Sequence, residues 1–165
     1  ACPGRLATPR RRTENRRMDL YLVCGNPNTR RASVVRALTG CFNRSMRDIE
    51  LVGGAAPLRL YARVGSLQET RTGPADFADE VGATRCNAVL CCVAPGANLG
   101  QPDRYPEAPD YLDHFKGLGW RVRGIAVLGQ NGGGLRSPLL RQFPQSGTAP
   151  INTTAAAVRR HFGWV

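Results

Sequence analysis

The chain has 165 residues, 42% of them hydrophobic, and a formal net charge of +11. This length and composition fit one globular domain and exclude a disordered chain. No apolar run approaches the roughly 20 residues that span a bilayer, and residues 1–17 lack the apolar stretch of a signal peptide, so we expect no membrane contact.

The positive charge is unevenly distributed along the chain. Residues 1–17 contain six arginines and one acid, Glu14, which places +5 of the +11 there and leaves +6 for the rest. We interpret residues 1–17 as a disordered basic tail or a segment foreign to the protein, and residues 18–165 as a single α/β domain. A basic arm that binds nucleic acid is the alternative, but the segment has no interleaved aromatic residues.

Strand and helix patterns alternate from residue 19 onward. In chain order they predict a strand over 19–24, a helix over 29–38, strands over 47–53 and 58–64, a helix over 74–83, a strand over 86–94, a helix over 109–118, a strand over 121–129 and a helix over 151–162. Such alternation predicts a three-layer α/β/α fold with a mostly parallel sheet. The strand over 58–64 alternates in polarity, which predicts a solvent-facing side with Arg59, Tyr61 and Arg63.

The loop between the first predicted strand and helix has the arrangement of an anion-binding site, because N–H groups and the dipole at a helix start favour negative charge. Residues 24–40, CGNPNTRRASVVRALTG, resemble the GNPN-x-GK-[ST] to NALTG segment of GTPases of the Era/Obg type and of the GTPase domain of the bacterial ferrous-iron transporter. Both 25–28, GNPN, and 37–40, ALTG, match at the right separation. The resemblance implies a P-loop NTPase-like fold with phosphate at this loop.

The sequence departs from this family at the residues that perform its chemistry. Arg30 stands at the second-glycine position, where a Cβ disfavours a positive φ. Arg31 replaces the lysine and keeps its charge without its compact geometry, and Ala32 replaces the hydroxyl that binds Mg²⁺. The Asp-x-x-Gly motif is missing after Val64, and the Asn-Lys-x-Asp motif is missing after Leu128. These departures predict a degenerate nucleotide site without Mg²⁺-dependent hydrolysis.

We therefore expect a non-catalytic binding or scaffold domain with no catalytic residues, no metal and no cofactor beyond a weakly held phosphate or nucleotide, and with an unidentified protein as its partner. The predicted ligand-binding residues belong to this loop and to the loop after the strand over 121–129, which adjoins it at the carboxyl edge of the sheet. They are Gly25, Asn26, Asn28, Thr29, Arg30, Arg31, Ser33, Gln130 and Asn131. Replacing Arg31 by Ala is expected to abolish phosphate binding at little cost to stability.

Two other functions stay open at this point. An enzyme with residual nucleotide binding or hydrolysis would use Arg31 in place of the lysine. A nucleic-acid-associated accessory protein is the second, and it depends on charge alone. Residues 129–134, GQNGGG, indicate either a flexible loop or a second phosphate-binding nest.

The cysteines indicate the compartment. The chain has six cysteines without a C-x-x-C pair and two histidines, which argues against a zinc site. Cys24, Cys91 and Cys92 lie in apolar strand-like runs. We expect these to be buried reduced thiols, as in a cytoplasmic protein.

Overall fold

The computed structural model describes residues 18–40, 44–49, 51 and 57–164. The predicted tail over 1–17 and most of the turn predicted before the strand over 58–64 lie outside these ranges. The strands are β1 (Asp19–Cys24), β2 (Arg44–Ile49), β3 (Leu58–Ser66), β4 (Ala88–Val93), β5 (Arg121–Leu128) and β6 (Leu140–Phe143). The helices are α1 (Arg31–Thr39), α2 (Pro74–Gly82), α3 (Ala108–Gly117) and α4 (Ile151–Phe162).

The six strands form one sheet in the order β2-β3-β4-β1-β5-β6. Among the described strands, β2 alone runs antiparallel to its neighbour, and every other pairing is parallel. The predicted α/β class with a mostly parallel sheet is confirmed. Because β1 lies between β4 and β5, the loop that follows β1 has neighbouring loops on both sides at the carboxyl edge.

Apolar side chains form two cores, one on each face of the sheet. On one face α1 and α4 pack together, and Val35, Leu38 and Val158 belong to a buried cluster with side chains of the strands. On the other face α2 and α3 pack together, and the rings of Phe77 and Phe115 lie 5.8 Å apart. Strands buried on both faces require helices on both sides, as the alternating pattern predicted. None of the helices in the described ranges is long and apolar enough to cross a membrane.

Three parts of the sheet differ from the sequence expectation, and the first is β2, which was predicted over 47–53 and is found at Arg44–Ile49. Strand β6 was not predicted, since its sequence LRQF has four residues and two of them, Arg141 and Gln142, are polar and exposed. The side of β3 predicted to face solvent is covered instead, since Tyr61 and Arg63 are buried and both contact Glu80 of α2. Only Arg59 of the three predicted residues is exposed. A helix that supplies a carboxylate can thus cover a strand face that includes an arginine.

Candidate functional site

Three loops meet beside the end of β1 at the carboxyl edge of the sheet. They are the loop after β1, the loop after β5 and the loop between β6 and α4, and together they line an open cavity of about 340 Å³. Its lining consists of Asn26, Asn28, Thr29, Leu128, Gly129, Gln130, Asn131, Pro144 and Gly147. Five of the nine predicted ligand-binding residues therefore line one cavity, and the rule for parallel strands placed Gln130 and Asn131 correctly beside the first loop.

The polar lining of this cavity is made of amides and one hydroxyl, without a charged side chain. The side chains of Asn26, Asn28, Gln130 and Asn131 can each donate and accept hydrogen bonds. The side-chain oxygen of Asn131 accepts a hydrogen bond from the backbone N–H of Gly133 at 3.0 Å, which holds its loop in a turn. A cavity with these groups suits an uncharged hydrogen-bonding part of a ligand.

Thr29 fixes the distance between the loops after β1 and β5. Its backbone N–H and its hydroxyl both donate to the carbonyl oxygen of Asn26, at 3.0 and 2.5 Å. Its methyl group lies against Gly129, where a Cβ would come within 2.8 Å of it and where φ is +84°. Only glycine therefore allows this approach at residue 129.

Arg30 has a left-handed backbone conformation, with φ 62° and ψ 32°. The residue stands at the position of the second glycine in the resembling motif, and it keeps the positive φ that its side chain was expected to disfavour. This conformation costs about 1 kcal/mol or more in a residue with a Cβ. The side chain extends toward the loop before α4, where Nη1 donates to the carbonyl oxygen of Ala149 at 3.0 Å. No side chain caps the start of α1.

Arg31 is buried, with a relative exposure of 4%. Its Nη1 donates to the carbonyl oxygen of Gly25, so the side chain lies back across the loop. Its Nη2 donates to Oε2 of Glu69 at 3.1 Å, which forms an ion pair with the loop after β3. The third donor, Nε, is buried and has no partner among the described residues. The expectation that Arg31→Ala costs little stability is therefore revised, since that change removes a buried cation and its ion pair with the half-exposed Glu69.

Glu69 is the residue beside this loop that sequence reasoning missed, and it pairs with Arg31. It is the only acid between β3 and α2, in the segment where the resembling family has Asp-x-x-Gly. A single acid in this segment was the signal in the sequence that could have identified Glu69 as a partner for a nearby arginine. The preceding residue, Gln68, is buried and fixes the loop, because its amide exchanges two hydrogen bonds with the backbone of Ala94, at 2.8 and 2.9 Å. The position of Glu69 is thus set by contacts between neighbouring loops.

The two remaining predicted residues are placed differently. Gly25 is buried behind Thr29, and its N–H donates to the carbonyl oxygen of Val93 at 3.1 Å. Ser33 is exposed on the first turn of α1. Gly25 therefore contributes backbone to the loop, and Ser33 lies at the helix start that faces away from the core.

The thiols near this edge are buried and free, as predicted for Cys24, Cys91 and Cys92. Burial raises the pKa of Cys24 and of Cys92 to about 12, and the nearby charge of Arg31 opposes part of this rise. Such thiols stay protonated and unreactive at neutral pH. In the part of the chain that the structure describes, no three side chains of His, Cys, Asp or Glu gather where they could hold a metal ion.

No family model, no curated protein and no solved structure matches this chain. The resemblance of residues 24–40 to the GTPase segment stays a prediction.

Proposed function

We propose that the chain is a non-catalytic binding or scaffold domain with a P-loop-like fold, whose degenerate loop after β1 weakly binds a phosphate-bearing ligand or nucleotide without Mg²⁺. The observation that supports this most directly is the ion pair between Arg31 and Glu69. Arg31 stands at the lysine position of the resembling motif, and its positive charge is paired with Glu69 within the protein. In this arrangement the charge stabilises the fold, and less of it is left to bind a ligand.

The donor set at the loop argues against phosphoryl transfer. That reaction depends on positive charge at the transferred phosphate and on a hydroxyl and a carboxylate that hold Mg²⁺. Ala32 has no side-chain oxygen at the hydroxyl position, and the carboxylate beside Arg31, that of Glu69, is engaged with Arg31. These residues therefore support binding of a phosphate-bearing ligand without phosphoryl transfer.

The arrangement of the three loops supports a ligand with two different ends. The uncapped start of α1 offers N–H groups and a positive dipole end to phosphate. The amide-lined cavity of about 340 Å³ beside it suits the uncharged part of the same ligand. The left-handed Arg30 lies between them, and strained residues of this kind cluster at binding sites.

Thermal unfolding of the full chain tests this proposal, with GTP, ATP or pyrophosphate at millimolar concentration, each with and without Mg²⁺. We expect stabilisation by all three whether or not Mg²⁺ is present. A ligand at 100 times its Kd adds about 2.7 kcal/mol, which raises the Tm of a domain of this size by several degrees. A shift that requires Mg²⁺ and one particular base would contradict the proposal, and so would no shift at all.

A pair of charge-matched variants separates loop binding from anion binding by basic segments elsewhere. Ser33→Asp places a negative charge in the first turn of α1. The new carboxylate repels phosphate, while its interaction with the helix dipole is favourable and protects the stability of the helix. Ala156→Asp adds the same charge at an exposed position of α4. We expect Ser33→Asp to lose the ligand-induced shift and Ala156→Asp to keep it.

A further inference from the structure

The guanidinium of Arg31 presents one edge that is only half used. Nε–H and Nη2–H lie along the same edge of an arginine and together match two oxygens of a carboxylate or phosphate. Here Nη2 donates to one oxygen of Glu69, while the buried Nε beside it has no acceptor among the described residues. A buried donor without a partner is costly, so an acceptor with two oxygens on this edge would satisfy it better than the single oxygen of Glu69 does.

The two partners differ in freedom to move. The side chain of Arg31 is 5% exposed, and that of Glu69 is 47% exposed. Arg31 is also held by its bond to the carbonyl oxygen of Gly25. Glu69 can therefore rotate into solvent at small cost, whereas Arg31 stays where it is.

We infer that Glu69 is an internal occupant of an oxyanion site, and that a pyrophosphate-type ligand binds by displacing its carboxylate from Arg31. The incoming phosphate group places two oxygens on Nε and Nη2, at the start of α1. This inference rests on the proposed function and adds what opens the site. It also gives a physical reason for weak binding. The apparent Kd equals the intrinsic Kd divided by the fraction of molecules in which Glu69 has left Arg31, so a small fraction means weak binding.

The test is calorimetric titration of inorganic pyrophosphate, without Mg²⁺ and at fixed ionic strength, into the full chain and its variants. Glu69→Gln removes the competing charge, and we expect its Kd to be at least about fivefold lower than that of the unmodified chain, since a charged hydrogen bond no longer has to break. Asp113→Asn is the matched control, because it makes the same change in net charge at an exposed position of α3. We expect its Kd to change less than about twofold, because the charge of an exposed side chain is screened by solvent and salt.

Two further variants test whether Glu69 and Arg31 cause the change in Kd. Glu69→Asp keeps the charge but shortens the side chain, so it should also tighten binding, and it covers the case in which Glu69→Gln folds poorly. Adding Arg31→Gln to Glu69→Gln should remove the gain. A gain that survives without Arg31 would overturn the inference.

The other outcomes are equally distinct. Equal tightening by Glu69→Gln and Asp113→Asn would overturn the inference in favour of general charge. Equal affinity of the unmodified chain and Glu69→Gln would overturn it and leave the proposed function standing. No binding by any variant would overturn both.

Discussion

Nη1 of Arg30 donates a hydrogen bond to the carbonyl oxygen of Ala149, 3.0 Å away, while the backbone of Arg30 stays left-handed at φ 62°. The side chain of one residue thus connects the loop after β1 to the loop before α4, at the price of an unfavourable backbone conformation. Both loops contribute to the lining of the cavity. The conformational cost and the hydrogen bond act in opposite directions on stability, so substitutions can separate them.

Arg30→Gly should leave the free energy of unfolding within about 0.5 kcal/mol of the unmodified chain. It relieves a left-handed strain of about 1 kcal/mol and loses an exposed hydrogen bond of similar value. Arg30→Val should destabilise by about 2 kcal/mol, because a β-branched residue tolerates a positive φ poorly and the bond is lost as well. Urea unfolding measures both, and equal stability of the two variants would mean that residue 30 is not left-handed in solution.

Arg31→Ala should destabilise the fold by about 2 kcal/mol, since it removes a buried cation and leaves the carbonyl oxygen of Gly25 without its donor. The value stays below that for a fully buried pair because Glu69 can turn to water. Arg160→Ala, at an exposed position of α4, is the control and should cost less than about 0.5 kcal/mol. If both substitutions cost the same in urea unfolding, the ion pair does not stabilise the fold.

Strand β3 offers a buried and an exposed ion pair on one element. Arg63 pairs with Glu80 at 2.9 Å, with side chains 8% and 22% exposed, and it also donates to Thr72. A double-mutant cycle of Arg63→Met and Glu80→Gln should give a coupling energy of about 1–3 kcal/mol.

The exposed pair on β3 is the internal control for that cycle. Arg59 lies 3.5 Å from Asp48, with side chains 56% and 62% exposed. Its cycle should give less than about 0.5 kcal/mol, as screened surface pairs do. Equal coupling energies from the two pairs in chemical denaturation would contradict the burial of Arg63.

The sequence predicted the elements whose signal is local. Helix α4 has the predicted bounds, 151–162, because its apolar residues follow helical spacing and Gly163 ends it with a φ of +77°. Strand β1 has its predicted bounds for a similar reason, a short apolar run stopped by Gly25. The position of Gln130 and Asn131 beside the first loop also followed, because parallel strands bring their carboxyl ends to one edge.

The roles of the arginines could not be predicted, because their partners are distant in sequence. Arg31 pairs with an acid 38 residues away, and only the fold brings the two together. Arg63 looked solvent-facing because alternation marks a polar side of a strand without indicating which helix will cover it. Arg30 has a glycine-like backbone, and its side chain bonds to Ala149, 119 residues away, which no local pattern indicates.

The buried thiols give a prediction for alkaline pH. Burial raises the pKa of Cys24 and of Cys92 from an ordinary value of 9.0 to about 12. Below pH 9 the thiols are protonated in both the folded and the unfolded chain, so they add no pH dependence. Above pH 9 the unfolded chain loses protons that the folded chain keeps, and stability falls by up to about 1.4 kcal/mol per pH unit for each thiol.

Urea unfolding at about pH 8 and about pH 10.5 should show this loss of stability. Cys24→Ala should make the loss of stability between these two pH values smaller, because one of these two buried thiols is gone. An identical decline in the variant would show that Cys24 ionises normally in the folded protein.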